Sequence, residues 1–246
     1  MSRRRAAALL TAAIVLSPLA FLRAEDKPAA APAAAPAIAP AANEEGFTPL
    51  FNGKDLTGWV YGKKKNKDGT EGENKAGRGY QIADGAIFST KADGGNLYTE
   101  KEYANFAFRF DFKLTANANN GIAIRAPLTG DAAYVAMEIQ VLDDSGSAYT
   151  KLKPTQYHGS VYDVFAVERG AQKPVGEWNT QEIKADGRKI TVTLNGKVIL
   201  DADLDSVKDE AVLKKHPGLA NVKGHIGFLG HGAEVHFRNL RIKELP

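Results

Sequence analysis

Glu138 and Gln140 alternate with Met137, Ile139 and Val141, and Arg125 closes the run Asn119-Asn120-Gly121-Ile122-Ala123-Ile124-Arg125. Both stretches have the period-two pattern of half-buried strands. Ile122 and Ile124 then face a core. Ala123 and Arg125 point the other way, and share a surface with Glu138 and Gln140 if the two strands are neighbours. Such a face is either the solvated back of a sheet or the floor of a polar cleft. In a cleft, a carboxylate serves as a general base, a guanidinium holds a developing oxyanion and a carboxamide binds hydroxyls. On a solvated face, Arg125 and Glu138 simply pair across the sheet. His158, within Tyr157-His158-Gly159-Ser160-Val161-Tyr162, and His231, within Gly230-His231-Gly232, add side chains that move protons near neutral pH. Their plainer reading is a hydrogen bond within a loop or turn. His216, His225 and His236 read as loop, structural or exposed residues.

Missing patterns exclude other chemistries. The 246 residues contain no cysteine, so disulfides, thiolate metal sites and cysteine nucleophiles are absent. No nucleophile elbow, phosphate loop or dinucleotide fingerprint occurs. No closely spaced histidine pair marks a metal site, although Glu138, His158 and His231 would offer three N/O ligands to a divalent ion if they converged. Lysine and arginine are interspersed with aspartate and glutamate at a net charge of +3, which does not suit a nucleic-acid surface.

The elements that must position these groups are short strands. Phe106, Phe108, Phe110, Phe112 and Leu114 alternate with Ala107, Arg109, Asp111 and Lys113, the clearest strand in the chain. Asp84-Gly85 predicts a hairpin between Tyr80–Ile82 and Ala86–Phe88, and Asn195-Gly196 one between Ile190–Leu194 and Val198–Leu200. Asn52-Gly53, Asn120-Gly121 and Asp186-Gly187 read as further turns. Residues 233–242 form a last strand, bulged near Asn239. Residues 61–79 are polar and Gly-rich and read as an exposed loop or flap. Residues 205–213 hold at most a short helix. Many short strands and almost no helix indicate an all-β sandwich or barrel.

Residues 1–24 read as a secretory signal, with Arg3-Arg4-Arg5 before an apolar stretch too short for a membrane span. Residues 25–45 are Ala/Pro-rich and read as a linker, and 46–246 as the folded domain. The expected location is periplasmic or extracellular, with no stable membrane span after cleavage.

Ordered motifs run through the domain: Gly46 to Trp59, Gly95 to Thr99, Tyr103 to Phe106, Asn119 to Arg125, Met137 to Asp143, Gly176 to Asn179, His216 to Leu219, Gly224 to Gly227, His231-Gly232 and Phe237 to Ile242. In this order the chain resembles the 3-keto-disaccharide hydrolase family, also described as 3-keto-α-glucoside 1,2-lyase/3-keto-2-hydroxyglucal hydratase. Tyr80, Asn120 and Leu229 depart from its common pattern, with Leu229 where many members carry Gln. The resemblance implies a concanavalin-A-like jelly-roll β-sandwich. It implies cleavage of a 3-keto-glycoside by C2 proton abstraction and β-elimination, hydration of the resulting 3-keto-2-hydroxyglucal, or both. The catalytic candidates are then Glu138, His158 and His231. The substrate-binding candidates are Arg125, Gln140, Tyr157, Tyr162 and Asn120. A separate sugar 3-dehydrogenase would install the keto group. The competing reading is a lectin-like domain that binds carbohydrate without turnover.

Overall fold

The computed structural model describes residue 44 and residues 46–76, 78–90 and 94–246. All of these belong to one compact unit, Ala37–Pro246. The expected signal segment and nearly all of the linker lie outside the described residues. No helix among the described residues is long and apolar enough to cross a membrane.

Strands dominate. In chain order they are β1 (Thr48–Pro49), β2 (Trp59–Tyr61), β3 (Lys63–Lys65), β4 (Glu71–Glu73), β5 (Lys75–Ala76), β6 (Gln81–Ala83), β7 (Ala86–Ser89) and β8 (Gly94–Thr99). Then come β9 (Phe106–Leu114), β10 (Asn119–Ala126), helix α1 (Ala132–Val135), β11 (Met137–Leu142), β12 (Trp178–Asp186), β13 (Lys189–Leu194) and β14 (Lys197–Asp203). Helix α2 (Glu210–Lys215), β15 (His225–Gly230) and β16 (Val235–Glu244) complete the domain. One sheet has the order β14-β13-β12-β9-β16-β7-β6, with β1 also paired to β16. The other, the site sheet, has the order β11-β10-β15-β8-β2, with β5 also paired to β8. Every pairing within the two sheets is antiparallel. This is the concanavalin-A-like jelly-roll sandwich.

Period-two patterning explains why the sheets stack. Phe106, Phe108, Phe110, Phe112 and Leu114 are all buried, each at most 2% exposed. Ile122, Ile124, Ile139, Val141 and Phe228 answer them from the site sheet. Phe228 is the hinge of this contact. Its ring stacks on Phe237 of the opposite sheet at 4.1 Å, and on Trp59 of its own sheet at 5.3 Å.

The hairpins at Asp84-Gly85 and Asn195-Gly196 form as expected, with positive φ at all four residues. The last strand does carry its bulge, between Arg238 and Arg241, with Asn239 at φ 53°. Two expectations need correction. Asn120-Gly121 is not a turn: both residues lie inside β10, paired to β11 and β15. The polar stretch after Tyr61 is not a bare loop either. It folds into the β3–β4 hairpin and ties back through a hydrogen bond from Lys63 N–H to Leu128 O, 2.5 Å.

Because Phe228 joins both sheets, Phe228→Ala is expected to destabilise the domain by about 3–5 kcal/mol, measured as a shift in denaturant midpoint. A loss below about 1 kcal/mol would mean that the inter-sheet contact is not tightly packed there.

Candidate functional site

The outer face of the site sheet is floored with small residues. Register places Gly121 opposite Gln140 and Leu229, and Ala123 opposite Glu138 and Gly227. Gly227 in turn stands opposite Tyr98. The missing side chains make room for large ones. A Cβ on residue 121 would collide with the Glu138 carboxylate, and one on residue 227 with the Tyr98 ring. Glu138 therefore lies flat across β10, and Tyr98 flat across β15.

Glu138 is buried, with 4% of its side chain exposed. Its Oε1 is covered and accepts no hydrogen bond among the described residues. The nearest cationic group is His231, whose Nε2 stands 3.6 Å from that oxygen, an ion-pair distance just beyond hydrogen-bond reach. His231 follows directly on β15, and 47% of its side chain is exposed. The Glu138 carboxylate holds the imidazole pKa above its ordinary 6.5, against an opposing effect of burial, and the Asp131 charge adds to the rise. The pair thus joins a dry carboxylate to a half-exposed imidazole that binds a proton more readily than a free one.

Polar groups surround the pair. Gln140 is buried and turns its Oε1 to the Val141 N–H, 3.1 Å away. Tyr162 reaches the site because residues 159–162 run beside β11: its N–H donates to Glu138 O at 2.9 Å. Burial pushes its hydroxyl pKa up, and the Glu138 charge adds to this. Burial likewise pushes Tyr98 up to about 12, with Asp131 and Glu138 contributing, so its hydroxyl stays protonated at ordinary pH. Tyr98 and Asp131 went unnoticed in the sequence. Tyr98 was visible as the outward partner of Asn96 in Asn96-Leu97-Tyr98, where only Leu97 faces the core. Asp131 was visible as the helix cap before Ala132-Ala133-Tyr134-Val135, and its Oδ1 accepts from Ala133 N–H at 3.2 Å.

Four expected site residues lie elsewhere or are already engaged. Arg125 does not stand beside Glu138. A bulge between Ala123 and Ala126 puts it at φ 50° and turns it out of the alternation. Its guanidinium instead donates to Ala104 O (2.9 Å), Asn221 O (3.4 Å) and Asn105 Oδ1 (3.3 Å), at 1% exposure. Asn120 faces the core, where its Nδ2 donates to the Tyr80 hydroxyl at 3.3 Å. Tyr157 has one ring face under the Arg169 guanidinium, 3.8 Å from its centroid, so that face offers no platform.

His158 is the largest correction. It sits between the sheets, stacked on Phe112 at 4.9 Å. Its Nε2 donates to Gln181 Oε1 at 2.8 Å while Nδ1 accepts from Leu142 N–H at 3.3 Å, the pattern of a neutral ring. Burial pushes its pKa down to about 4. The trio Glu138, His158 and His231 therefore does not converge. No group of three acidic or histidine side chains able to hold a metal ion occurs among the described residues.

The buried neutral His158 makes folding sensitive to acid. Unfolding frees the ring to take a proton at its ordinary 6.5, whereas the folded ring resists until about 4. Its contribution is complete above about pH 6.5 and lost as the pH falls towards 4. The wild type is expected to lose on the order of 3 kcal/mol across this window that His158→Gln does not lose, read from chemical denaturation at each pH. Parallel losses in the two proteins would assign the acid sensitivity to other groups.

Comparison with known proteins identifies the family. The family described as the 3-keto-alpha-glucoside-1,2-lyase-like domain matches residues 46–243. The 3-keto-disaccharide hydrolase of Bacteroides thetaiotaomicron is 28% identical over 237 residues, covering 82% of this chain and 79% of its own. Two crystal structures from Parabacteroides distasonis, each provisionally named a glycosyl hydrolase, are 26% identical and cover 82% of this chain. Their TM-scores are 0.65 and 0.66, with 100% and 94% of their own chains covered. The chain thus belongs to the 3-keto-alpha-glucoside-1,2-lyase-like family.

Proposed function

We propose that this protein cleaves 3-keto-glycosides by elimination and hydration, with Glu138 as the base and His231 as the acid. One observation carries the reading: a dry carboxylate lies 3.6 Å from a half-exposed histidine whose pKa is raised, on a sheet face cleared by glycine. The name of the Bacteroides relative supports the substrate class.

A ketone at C3 acidifies the C2 proton. Glu138 takes that proton, and the C2–H electron pair forms an enolate on the C3 oxygen. The enolate collapses, C3=O re-forms, C1=C2 forms, and the C1–O bond breaks. His231 gives its proton to the departing oxygen. The products are an alcohol and a 3-keto-2-hydroxyglucal, with Glu138 now protonated and His231 neutral. Hydration runs the same relay backwards. His231 takes a proton from water as its oxygen bonds to C1, and Glu138 returns its proton to C2. The net change is hydrolysis with both residues restored. Ordinary glycosidases instead flank the bond with two carboxylates. The hydroxyl of Tyr98 and the amide nitrogen of Gln140 supply neutral donors for the enolate oxygen and the sugar hydroxyls. Arg125 is committed to backbone carbonyls and takes no part.

Residues 1–24 support export, and residues 25–45 a tether, so we place the enzyme outside the cytoplasm. Because the chain has no dinucleotide fingerprint, a separate dehydrogenase would supply its substrate.

The test is incubation with 3-keto-trehalose or 3-keto-lactose, followed by mass spectrometry for the free sugar and the 3-keto-2-hydroxyglucal. Glu138→Gln is expected to lower kcat by about 10²–10⁴-fold with the fold intact. Sugar binding without turnover in the wild type would sink the proposal. The proton on His231 also sets a pH limit. Its pKa is raised above the ordinary 6.5, so the alkaline limb of activity is expected to lie above that value. An alkaline limb that persists unchanged in His231→Gln would remove His231 from the role of acid.

A further inference from the structure

His231 also lines a depression of about 720 Å³, together with Thr115, Asn117, Tyr149 and Glu234 among others. Its volume lies within the roughly 300–1,000 Å³ of ligand sites. One of its walls is the proposed acid itself, so a leaving group that takes the His231 proton has room to extend into it.

The far rim is built rather than loose. Asn117 sits in the left-handed region at φ 58°, which asparagine tolerates. Its N–H donates to Asp143 Oδ2 at 2.8 Å, and Asp143 is itself buried. Its side-chain oxygen accepts from Ala148 N–H at 2.8 Å and from the Ser147 hydroxyl at 3.4 Å. Its carbonyl accepts from the Tyr149 hydroxyl at 3.3 Å. One residue therefore staples the turn Ser147–Tyr149 to the end of β10 and pins the far end of the Tyr149 ring. Tyr149 is half-buried and its ring lines the depression. An aromatic ring held in this way is a platform for the apolar face of a sugar, at little cost in side-chain entropy.

The polar groups around it are largely satisfied within the protein. The Thr115 hydroxyl donates to Glu234 O at 3.0 Å, and the Glu234 carboxylate holds His236 at 2.8 Å. A lining whose hydrogen bonds are already made reads shape and stacking rather than a particular pattern of hydroxyls.

We infer that this depression is the leaving-group subsite, that Tyr149 is its stacking platform, and that it takes a pyranose ring with little regard to which sugar it is. The inference rests on the proposed function, since it is His231 that orients the substrate. The substrate class is then 3-keto-disaccharides of varied second sugar.

The test compares two 3-keto-glucosyl disaccharides of one linkage and anomer, with glucose and with mannose as the second sugar, with the matching methyl 3-keto-glucoside, whose leaving group is too small to reach Tyr149. Tyr149→Ala is expected to raise KM for both disaccharides roughly tenfold and leave the methyl glycoside within about twofold. Tyr149→Phe, which keeps the ring but loses its tie to Asn117, is expected to fall between wild type and Tyr149→Ala on the disaccharides and to match wild type on the methyl glycoside. Activity of Tyr149→Ala on the methyl glycoside also shows that the variant is folded. An equal loss on all three substrates, or no loss on any, overturns the subsite. So does a wild type that cleaves one disaccharide over a hundredfold better than the other. If the wild type cleaves none of them, the elimination chemistry fails, and the subsite with it.

Discussion

The Glu138 carboxylate can lie where it does only because residue 121 has no side chain. Any Cβ there would occupy the space of the carboxyl group. The same exclusion operates one strand along, where Gly227 makes room for Tyr98. Most sheet faces expose side chains that stand upright from the strands. Here two side chains lie down across their neighbours, and the cleft floor is the backbone itself with a carboxylate and a phenol ring laid on it. Everything around the floor answers to that geometry. The phenylalanine-rich core holds the site sheet from beneath, and the segment beside β11 brings Tyr162 to its edge.

The electrostatics of the site follow from unequal hydration of the two partners. Glu138 has given up nearly all of its solvent, and its covered oxygen gains no hydrogen bond in return. His231 keeps about half of its exposure, and its protonated form is favoured by the Glu138 charge. Removing one member of such a pair leaves the other in an unfavourable setting, so the two are coupled in stability. The contrast with His158 shows how far surroundings decide a histidine's character. One ring faces a carboxylate and gains a proton readily; the other is sealed between sheets and resists one down to about pH 4.

Much of this was legible in residue order, for identifiable reasons. Phe106 to Leu114 alternate without a break, and nothing in the fold overrides them. Glu138 and Gln140 were readable as outward because β11 has no bulge. Arg125 was not, because a single bulge reverses direction without any residue type announcing it. Asn120-Gly121 has the composition of a turn, but its glycine answers to a carboxylate from the next strand, a demand that local sequence does not display. His158 looked available because its neighbours are Tyr157, Gly159 and Ser160. Its burial is instead set by Phe112 and Gln181, which come from strands far along the chain.

The outer face of the opposite sheet carries Arg109 and Arg241, and both are clamped by Glu44, whose carboxylate is held below its ordinary pKa chiefly by the hydrogen bond from Arg241. Arg109 also pairs with Glu182 and covers the Phe47 ring. The polypeptide therefore joins the sandwich on the side remote from Glu138. Tension applied through the preceding chain would load β9 and β16 in the opposite sheet and would not pull directly on the floor beneath Glu138 and His231.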